Sequence, residues 1–134
     1  MKILFVCKHN RFRSKVAEAI FNKLNKNKKI EAESAGIMID KLRNYIAENV
    51  IKVMKKKSYN VRGKSKQLTK EVLESIDLLI IVANNVDKGL FREFKGKIIK
   101  WEIPDADESE KEKITKIIRD IEVRVKNLIG ELNN

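Results

Sequence analysis

The sequence KILFVCKHNRFRSKVAEAIF occupies residues 2–21 and predicts a strand, a loop and a helix in succession. Lys2 to Val6 is a short apolar run, typical of a buried strand, and it ends in a polar loop. Ser14 then opens a stretch whose apolar residues recur at helical spacing. The only cysteine, Cys7, lies where the strand meets the loop, so this segment predicts both the start of the fold and the place of any thiol chemistry.

The rest of the chain continues this alternation. Ile30 to Ser34, Leu78 to Val82 and Lys97 to Ile103 have the apolar content expected of strands. The intervening helices are predicted over Leu42 to Met54, after an N-cap at Thr69, around Leu90 to Phe94, and from a capping box of Ser109 and Glu112 onward.

Strands that alternate with helices imply an α/β fold whose parallel sheet is wound on both faces. Ligands of such sheets lie beyond the carboxyl ends of the strands. Cys7 and Asp105 each follow a predicted strand. We therefore expect both side chains at the functional edge of the sheet.

Composition narrows the class of protein. The 134 residues, with 43% hydrophobic content, predict a single domain over residues 1–134. The first apolar run is too short for an export signal, and no stretch approaches the roughly 18 apolar residues of a membrane span, so we expect a cytoplasmic protein with no membrane partner. The net charge of +11 favours phosphorylated partners. Nucleic acid is disfavoured because the lysines are spread over every segment, with few aromatic residues among them.

The loop CKHNRFRS, residues 7–14, contains a cysteine, five intervening residues, an arginine and a serine. A loop of this length can turn its backbone N–H groups toward one point, where the following helix adds its positive end. We therefore predict that the loop binds phosphate through Lys8, His9, Asn10, Arg11, Phe12, Arg13 and Ser14.

Each functional side chain of this loop has a physical role. The helix end and Arg13 favour the thiolate of Cys7, which is the nucleophilic form. Arg13 can hold two phosphoryl oxygens with its planar fork, and Ser14 can donate a hydrogen bond to the thiolate. Asn10 tolerates a left-handed backbone and can fasten the loop from within. In the alternative reading, Cys7 is a buried core thiol, and Arg13 and Ser14 are ordinary surface and N-cap residues.

In this loop and in short stretches further along the chain, the sequence resembles the low-molecular-weight protein tyrosine phosphatase and arsenate reductase family. The resemblance implies a four-stranded parallel sheet with flavodoxin-like winding, helices on both faces, a cysteinyl-phosphate intermediate, and no metal or other cofactor. The matching stretches occur in family order and cover nearly the whole chain: Ile3-Leu4-Phe5-Val6-Cys7, Asn10, Arg13-Ser14, Ala17-Glu18-Ala19, Ser34-Ala35-Gly36, Gln67-Leu68-Thr69, Leu78 to Val82, and Trp101-Glu102-Ile103-Pro104-Asp105.

The resemblance also implies roles for single residues. Cys7 matches the nucleophile, Arg13 the phosphate ligand and Ser14 the support of the thiolate. Asn10 and Ser34 match a network that holds the loop. Asp105 matches the general acid, which protonates the departing oxygen and then helps to activate water.

Five departures from the family pattern bear on function. Ala106 replaces a proline that usually follows the acid, which makes Asp107 a substitute candidate for that role. Phe12 replaces a second loop cysteine, so a protective loop disulfide cannot form. His9 replaces a glycine, and Gly63 stands where the family has a histidine that braces the loop, so His9 is a candidate to compensate. The aromatic residues that commonly follow the acid loop are missing.

We expect a phosphomonoester hydrolase, namely a protein phosphatase acting on phosphotyrosine or phosphoarginine. Its partners would be a phosphorylated protein or small phosphomonoester, together with inorganic phosphate or a similar oxyanion. Two alternatives stay open at this point. One is a phosphate-binding or phosphoprotein-binding module without turnover, and the other is an arsenate reductase that uses an external thiol.

Overall fold

The computed structural model describes all 134 residues and contains a four-stranded parallel sheet. Its strands lie in the order β2-β1-β3-β4, and all three pairings are parallel. The winding reverses at β1, so the carboxyl end of β1 lies at the topological switch point where open sheets bind ligands. The strands are β1 (Lys2–Cys7), β2 (Glu31–Gly36), β3 (Leu78–Val82) and β4 (Lys97–Trp101).

Helices cover both faces of the sheet, which confirms the predicted fold class. Alternate residues of β3 enter two separate apolar clusters, with Ile80 in one and Leu79 and Ile81 in the other. None of the helices combines the length and apolar character required to cross a bilayer. The larger cluster includes residues of α1 (Arg13–Leu24), α2 (Glu48–Lys56) and α4 (Lys111–Leu132), and the smaller one is flanked by α3 (Lys70–Glu74) and a 3₁₀ turn (Lys88–Phe91).

The predicted second helix is too long at its start. It begins at Glu48, and Leu42 and Tyr45 are exposed in the irregular segment before it. The backbone there has other partners, since the carbonyl of Asn44 accepts from the N–H of Ser65, and the carbonyl of Tyr45 accepts from Arg11. Helical spacing of apolar residues in this segment therefore does not produce a helix.

The N-cap at Thr69 is confirmed, because its hydroxyl accepts from the N–H of Val72 at 3.2 Å. The capping box at Ser109 is wrong, since Glu110 precedes the first residue of α4 and no side chain caps that end. The last strand ends two residues earlier than predicted, at Trp101. The chain turns there, because the N–H of Ile103 bonds back to the carbonyl of Trp101.

The fold brings the end of β2 against the loop that follows β1. A Cβ atom on Gly36 would lie 2.8 Å from the carbonyl carbon of His9 and 3.0 Å from both the nitrogen of Asn10 and the carbonyl oxygen of Lys8. All three are backbone atoms, which cannot move aside as the end of a flexible side chain can. Glycine at this position therefore permits the close approach of two chain segments.

We predict that Gly36→Ala lowers the free energy of unfolding by about 1–3 kcal/mol, because the added methyl group displaces the loop backbone. Gly130→Ala in α4 is the matched control, since its Cβ would meet nothing within 4 Å. That variant should gain up to about 1 kcal/mol from the higher helix propensity of alanine. Urea unfolding at 25 °C measures both, and equal stability of the two variants would contradict the packing at Gly36.

Candidate active site

Cys7 is the last residue of β1, and its thiol lies at the base of a pocket of about 60 Å³. The side chain is 2% exposed, and its sulfur lies 2.9 Å from the hydroxyl oxygen of Ser14. Cys7 also belongs to the smaller apolar cluster, so one side of the thiol packs in the core while the other faces the pocket. The lining residues are Cys7, His9, Arg11, Phe12, Arg13, Ala47, Val50, Asp105, Ala106, Glu108 and Ile114.

The backbone of the phosphate-binding loop, residues 7–14, keeps its hydrogen-bond donors free. No N–H group from Lys8 through Lys15 donates a hydrogen bond to another group of the protein. Buried N–H groups are seldom left without a partner, and a run of them beside a helix N-terminus is the usual arrangement for holding an anion. The loop therefore has the donors that the predicted anion cradle requires.

Arg13 places a buried guanidinium beside the pocket. The residue is 2% exposed. Nη1 donates to the carbonyl oxygen of Ile103 at 2.9 Å, and Nη2 donates to the amide oxygen of Asn85 at 3.0 Å. Nη2 also lies 3.6 Å from a carboxylate oxygen of Asp105. Arg13 is thus not an ordinary surface residue, and three acceptors fix the plane of its guanidinium.

Asn10 holds the loop from within, in the left-handed conformation expected of it, with φ of 56°. Its amide nitrogen donates to the hydroxyl oxygens of Ser14 at 2.7 Å and Ser34 at 3.0 Å. Its amide oxygen accepts from the N–H of Lys66 at 2.9 Å. We refer to Asn10, Ser14 and Ser34 as the loop brace.

The loop brace also orients the hydrogen of Ser14. Because the oxygen of Ser14 accepts from Asn10, its own hydrogen is available to donate to the sulfur of Cys7. A thiolate is an acceptor only, so a hydroxyl in this orientation would bond to it directly. Ser34 in turn donates to the carboxylate of Glu18 at 2.7 Å.

The two acid candidates have different surroundings. Asp105 lines the pocket next to Arg13, and its carboxylate is about half exposed. Asp107 does not line the pocket, and its carboxylate accepts from both the hydroxyl and the N–H of Ser109. These hydrogen bonds hold the pKa of Asp107 below its ordinary value, which disfavours the protonated form that an acid needs.

The side chain of His9 bonds to the segment after β2 and not to the loop brace. The Nδ1 atom of His9 lies 2.7 Å from the carbonyl oxygen of Met38 and donates to it. The ring has no hydrogen bond with the loop brace. The side-chain atom nearest to Gly63 is instead the ammonium nitrogen of Lys15, 3.3 Å from the position of a Cβ atom.

Arg11 directs its side chain to the mouth of the pocket. Its Nε donates to the carbonyl oxygen of Tyr45 at 2.9 Å, its guanidinium lies 5.0 Å from the centre of the Tyr45 ring, and it forms an ion pair with Glu108. Arg43 approaches Glu108 as well, at 3.9 Å. The side chain of Arg11 therefore shapes the entrance of the pocket. The group of Arg11 that is free to bind an anion is its backbone N–H.

Sequence reasoning missed Asn85 and Glu18 as site residues. Asn85 follows β3 by three residues, so its position at the carboxyl edge of the sheet was a usable signal. Glu18 was recognised only as part of a family landmark, and its bond to Ser34 depends on how α1 packs against β2. No group of three or more His, Cys, Asp or Glu side chains is arranged to hold a metal ion.

Solved structures of three proteins have the same fold as this chain. The low molecular weight protein tyrosine phosphatase from T. tengcongensis has 26% identity and a TM-score of 0.85, over 98% of this chain and 99% of that one. The YwlE arginine phosphatase from Geobacillus stearothermophilus has 20% identity and a TM-score of 0.87, over 98% and 92%. The arsenate reductase from Archaeoglobus fulgidus has 24% identity and a TM-score of 0.76, over 96% and 98%.

A search of curated protein sequences returned no match. The sequence model of the family described as low molecular weight phosphotyrosine protein phosphatase matches residues 2–134. This match spans the loop, the loop brace and the acid candidates. The chain therefore belongs to the low molecular weight phosphotyrosine protein phosphatase family.

Proposed function

We propose that the protein hydrolyses phosphomonoesters through a cysteinyl-phosphate intermediate on Cys7. The observation that carries the proposal is the run of backbone N–H groups from Lys8 through Lys15 that have no acceptor in the protein. They surround a thiol that a hydroxyl contacts at 2.9 Å and that lines the same pocket as a buried guanidinium. Such preorganised donors stabilise a phosphoryl group as its charge redistributes in the transition state.

In the first step, the thiolate of Cys7 attacks the phosphorus atom, so that a P–S bond forms while the P–O bond to the leaving group breaks. Asp105 gives its proton to the departing oxygen and becomes a carboxylate. A guanidinium has five N–H donors, and Arg13 uses only two of them on Ile103 and Asn85. Nη2 also faces the carboxylate of Asp105 at 3.6 Å, and the donors that remain are available to the phosphoryl oxygens.

In the second step, water attacks the phosphorus atom of the cysteinyl phosphate. The carboxylate of Asp105 takes a proton from this water, the P–S bond breaks, and the electron pair returns to the sulfur of Cys7. The hydroxyl of Ser14 donates to the emerging thiolate, which stabilises the leaving group. Inorganic phosphate departs, and both catalytic groups regain their starting protonation.

The pocket walls bear on whether the phosphate is carried by tyrosine or arginine. Phe12, Val50 and Ile114 provide apolar surface that suits an aromatic ring. Glu108 is the carboxylate at the entrance that a guanidinium would contact, but it is already paired with Arg11 and Arg43. We therefore propose protein-bound phosphotyrosine as the preferred substrate, ahead of phosphoarginine. Steady-state assays with phosphotyrosine, phosphoarginine and a small alkyl phosphate compare the three directly.

Arsenate reduction is a second candidate, favoured by the fold shared with the arsenate reductase from Archaeoglobus fulgidus. Cys7 is the only cysteine, so the chain cannot form the internal disulfide that would regenerate the enzyme. This activity therefore needs an external thiol, such as glutathione. Arsenate turnover that depends on added thiol, with no hydrolysis of any phosphate ester, would favour this function over the phosphatase.

We predict that Cys7→Ser abolishes hydrolysis of p-nitrophenyl phosphate, by at least about four orders of magnitude in kcat, because no thiolate is left to attack. The variant should still bind inorganic phosphate, since the loop N–H groups and Arg13 remain. Stopped-flow or colorimetric assays and calorimetry measure the two properties. A wild-type protein that binds phosphate but turns over no aryl phosphate between about pH 5 and 7 would instead be a binding module.

The assignment of the acid is tested with a matched pair of variants. Asp105→Asn should lower kcat by about 10²–10⁴, with a larger loss for alkyl phosphates than for p-nitrophenyl phosphate, whose leaving group needs less protonation. Asp107→Asn removes the same charge two residues away and should change kcat less than about threefold, since Asp107 lies outside the pocket. An unchanged rate in Asp105→Asn contradicts its role, and a large loss only in Asp107→Asn reverses the assignment.

A further inference from the structure

Lys15 is a buried cation without a partner. It follows Ser14 on α1 and is 8% exposed, yet its ammonium group has no hydrogen bond and no carboxylate within ion-pair distance. Burial lowers the pKa of Lys15 below its ordinary value, an effect that the charge of Glu18 partly offsets. The ammonium group is therefore free to donate to an acceptor from outside the protein.

The ammonium group of Lys15 still reaches solvent. Every side-chain nitrogen or oxygen atom that is shut off from solvent has a hydrogen-bond partner. The ammonium nitrogen of Lys15 has no such partner, so it must be accessible to solvent. The nitrogen of Lys15 lies beside Gly63, where a Cβ atom would stand 3.3 Å from it. Gly63 has φ of 97°, a conformation in which other residues are strained, so the gap beside Lys15 depends on glycine.

Lys15 also lines a cleft of about 450 Å³ on the side of α1, which we term the rear cleft. It shares no lining residue with the pocket at Cys7. Its lining includes three cations, one carboxylate and two side-chain amides, so its charge is net positive. The residues are Lys15, Glu18, Ala19, Asn22, Lys23, Ser58, Asn60 and Arg62.

Some polar groups of the rear cleft already have hydrogen-bond partners within the protein, and others do not. Glu18 accepts from Ser34, and Lys23 donates to the carbonyl oxygen of Ser58. Arg62 is exposed and has no ion pair or hydrogen bond, which leaves its planar fork free beside Lys15. A buried ammonium and a free guanidinium in one cleft suit a doubly charged oxyanion, because both are strong donors to phosphoryl oxygens.

We propose that the rear cleft is a second oxyanion site, which binds a phosphate group through Lys15 and Arg62. The site is separate from the one that holds the scissile phosphate, and it does not depend on the proposed hydrolysis. Glu18, which lines the cleft, bonds to Ser34 of the loop brace. A phosphate group bound there is therefore one side chain away from the contacts that hold the phosphate-binding loop.

The test is a titration of the ¹⁵N-labelled protein with inorganic phosphate, followed by amide chemical shifts, with sodium chloride at equal ionic strength as the reference. We expect saturable shifts at Ala19, Asn22 and Asn60 that sodium chloride does not produce. Shifts at His9 and Arg11 report separately on the pocket at Cys7. If the rear-cleft amides respond no more to phosphate than to chloride, the proposal is overturned.

Charge variants test the ligands. Lys15→Met should weaken phosphate binding at the rear cleft by at least tenfold. Lys52→Met is the matched control, because Lys52 is exposed on α2 and pairs with Glu48 outside the cleft. Unaltered rear-cleft binding in Lys15→Met overturns the proposal. Should that variant not fold, Arg62→Gln decides, since this exposed residue can be changed without disturbing the core, and its expected loss is at least threefold.

The source of the phosphate group is distinguished by a second titration with a phosphoserine peptide. Saturable shifts at Asn22 and Asn60 with both ligands indicate that the rear cleft accepts a phosphate attached to a protein. Shifts with inorganic phosphate alone indicate a site for the free anion, which is also the product of the proposed hydrolysis. Both outcomes support an oxyanion site, and the absence of both excludes it.

Discussion

The side chain of Asn10 is the contact on which the phosphate-binding loop depends. A loop that binds an anion through its backbone must leave its N–H groups free, and so it cannot hold its own shape with backbone hydrogen bonds. Asn10 provides what is missing, because its fully buried amide bonds to Ser14 on α1, Ser34 on β2 and the N–H of Lys66. Contacts with three segments thus fix one left-handed residue, and the pairing of β1 with β2 brings Ser34 beside it.

The pocket is preorganised in the same way, by contacts from other segments of the chain. The guanidinium of Arg13 is held by a carbonyl, an amide oxygen and a carboxylate, which belong to Ile103, Asn85 and Asp105 beyond the ends of β3 and β4. The protein thereby orients the cation before any phosphate arrives, so little reorganisation is needed during the reaction. Gly36 adds a steric condition, since only a residue without a side chain lets β2 approach the loop backbone this closely.

The sequence predicted the structure correctly where the local sequence pattern and the tertiary contacts favour the same conformation. The β1, loop and α1 unit, the buried β3 strand, the cap at Thr69 and the left-handed Asn10 follow from patterns within a few residues. Leu42 to Tyr45 failed as a helix because Ser65 and Arg11, both distant in sequence, take the backbone carbonyls there. Asn85, Glu18 and Lys15 were missed for a related reason. Their significance lies in how segments distant in sequence pack together, and no spacing along the chain reports that packing.

The phosphate-binding loop and the rear cleft each contain a cation from the first turn of α1. Successive residues of a helix are about 100° apart, so Arg13 and Lys15 point to opposite sides of the same turn. Both are buried, and no acidic residue lies in that turn to offset them. The N-terminus of a helix already carries partial positive charge, and the two cations add to the positive potential at this end of α1. Arg13 lines the pocket at Cys7, and Lys15 lines the rear cleft, where we propose the second oxyanion site.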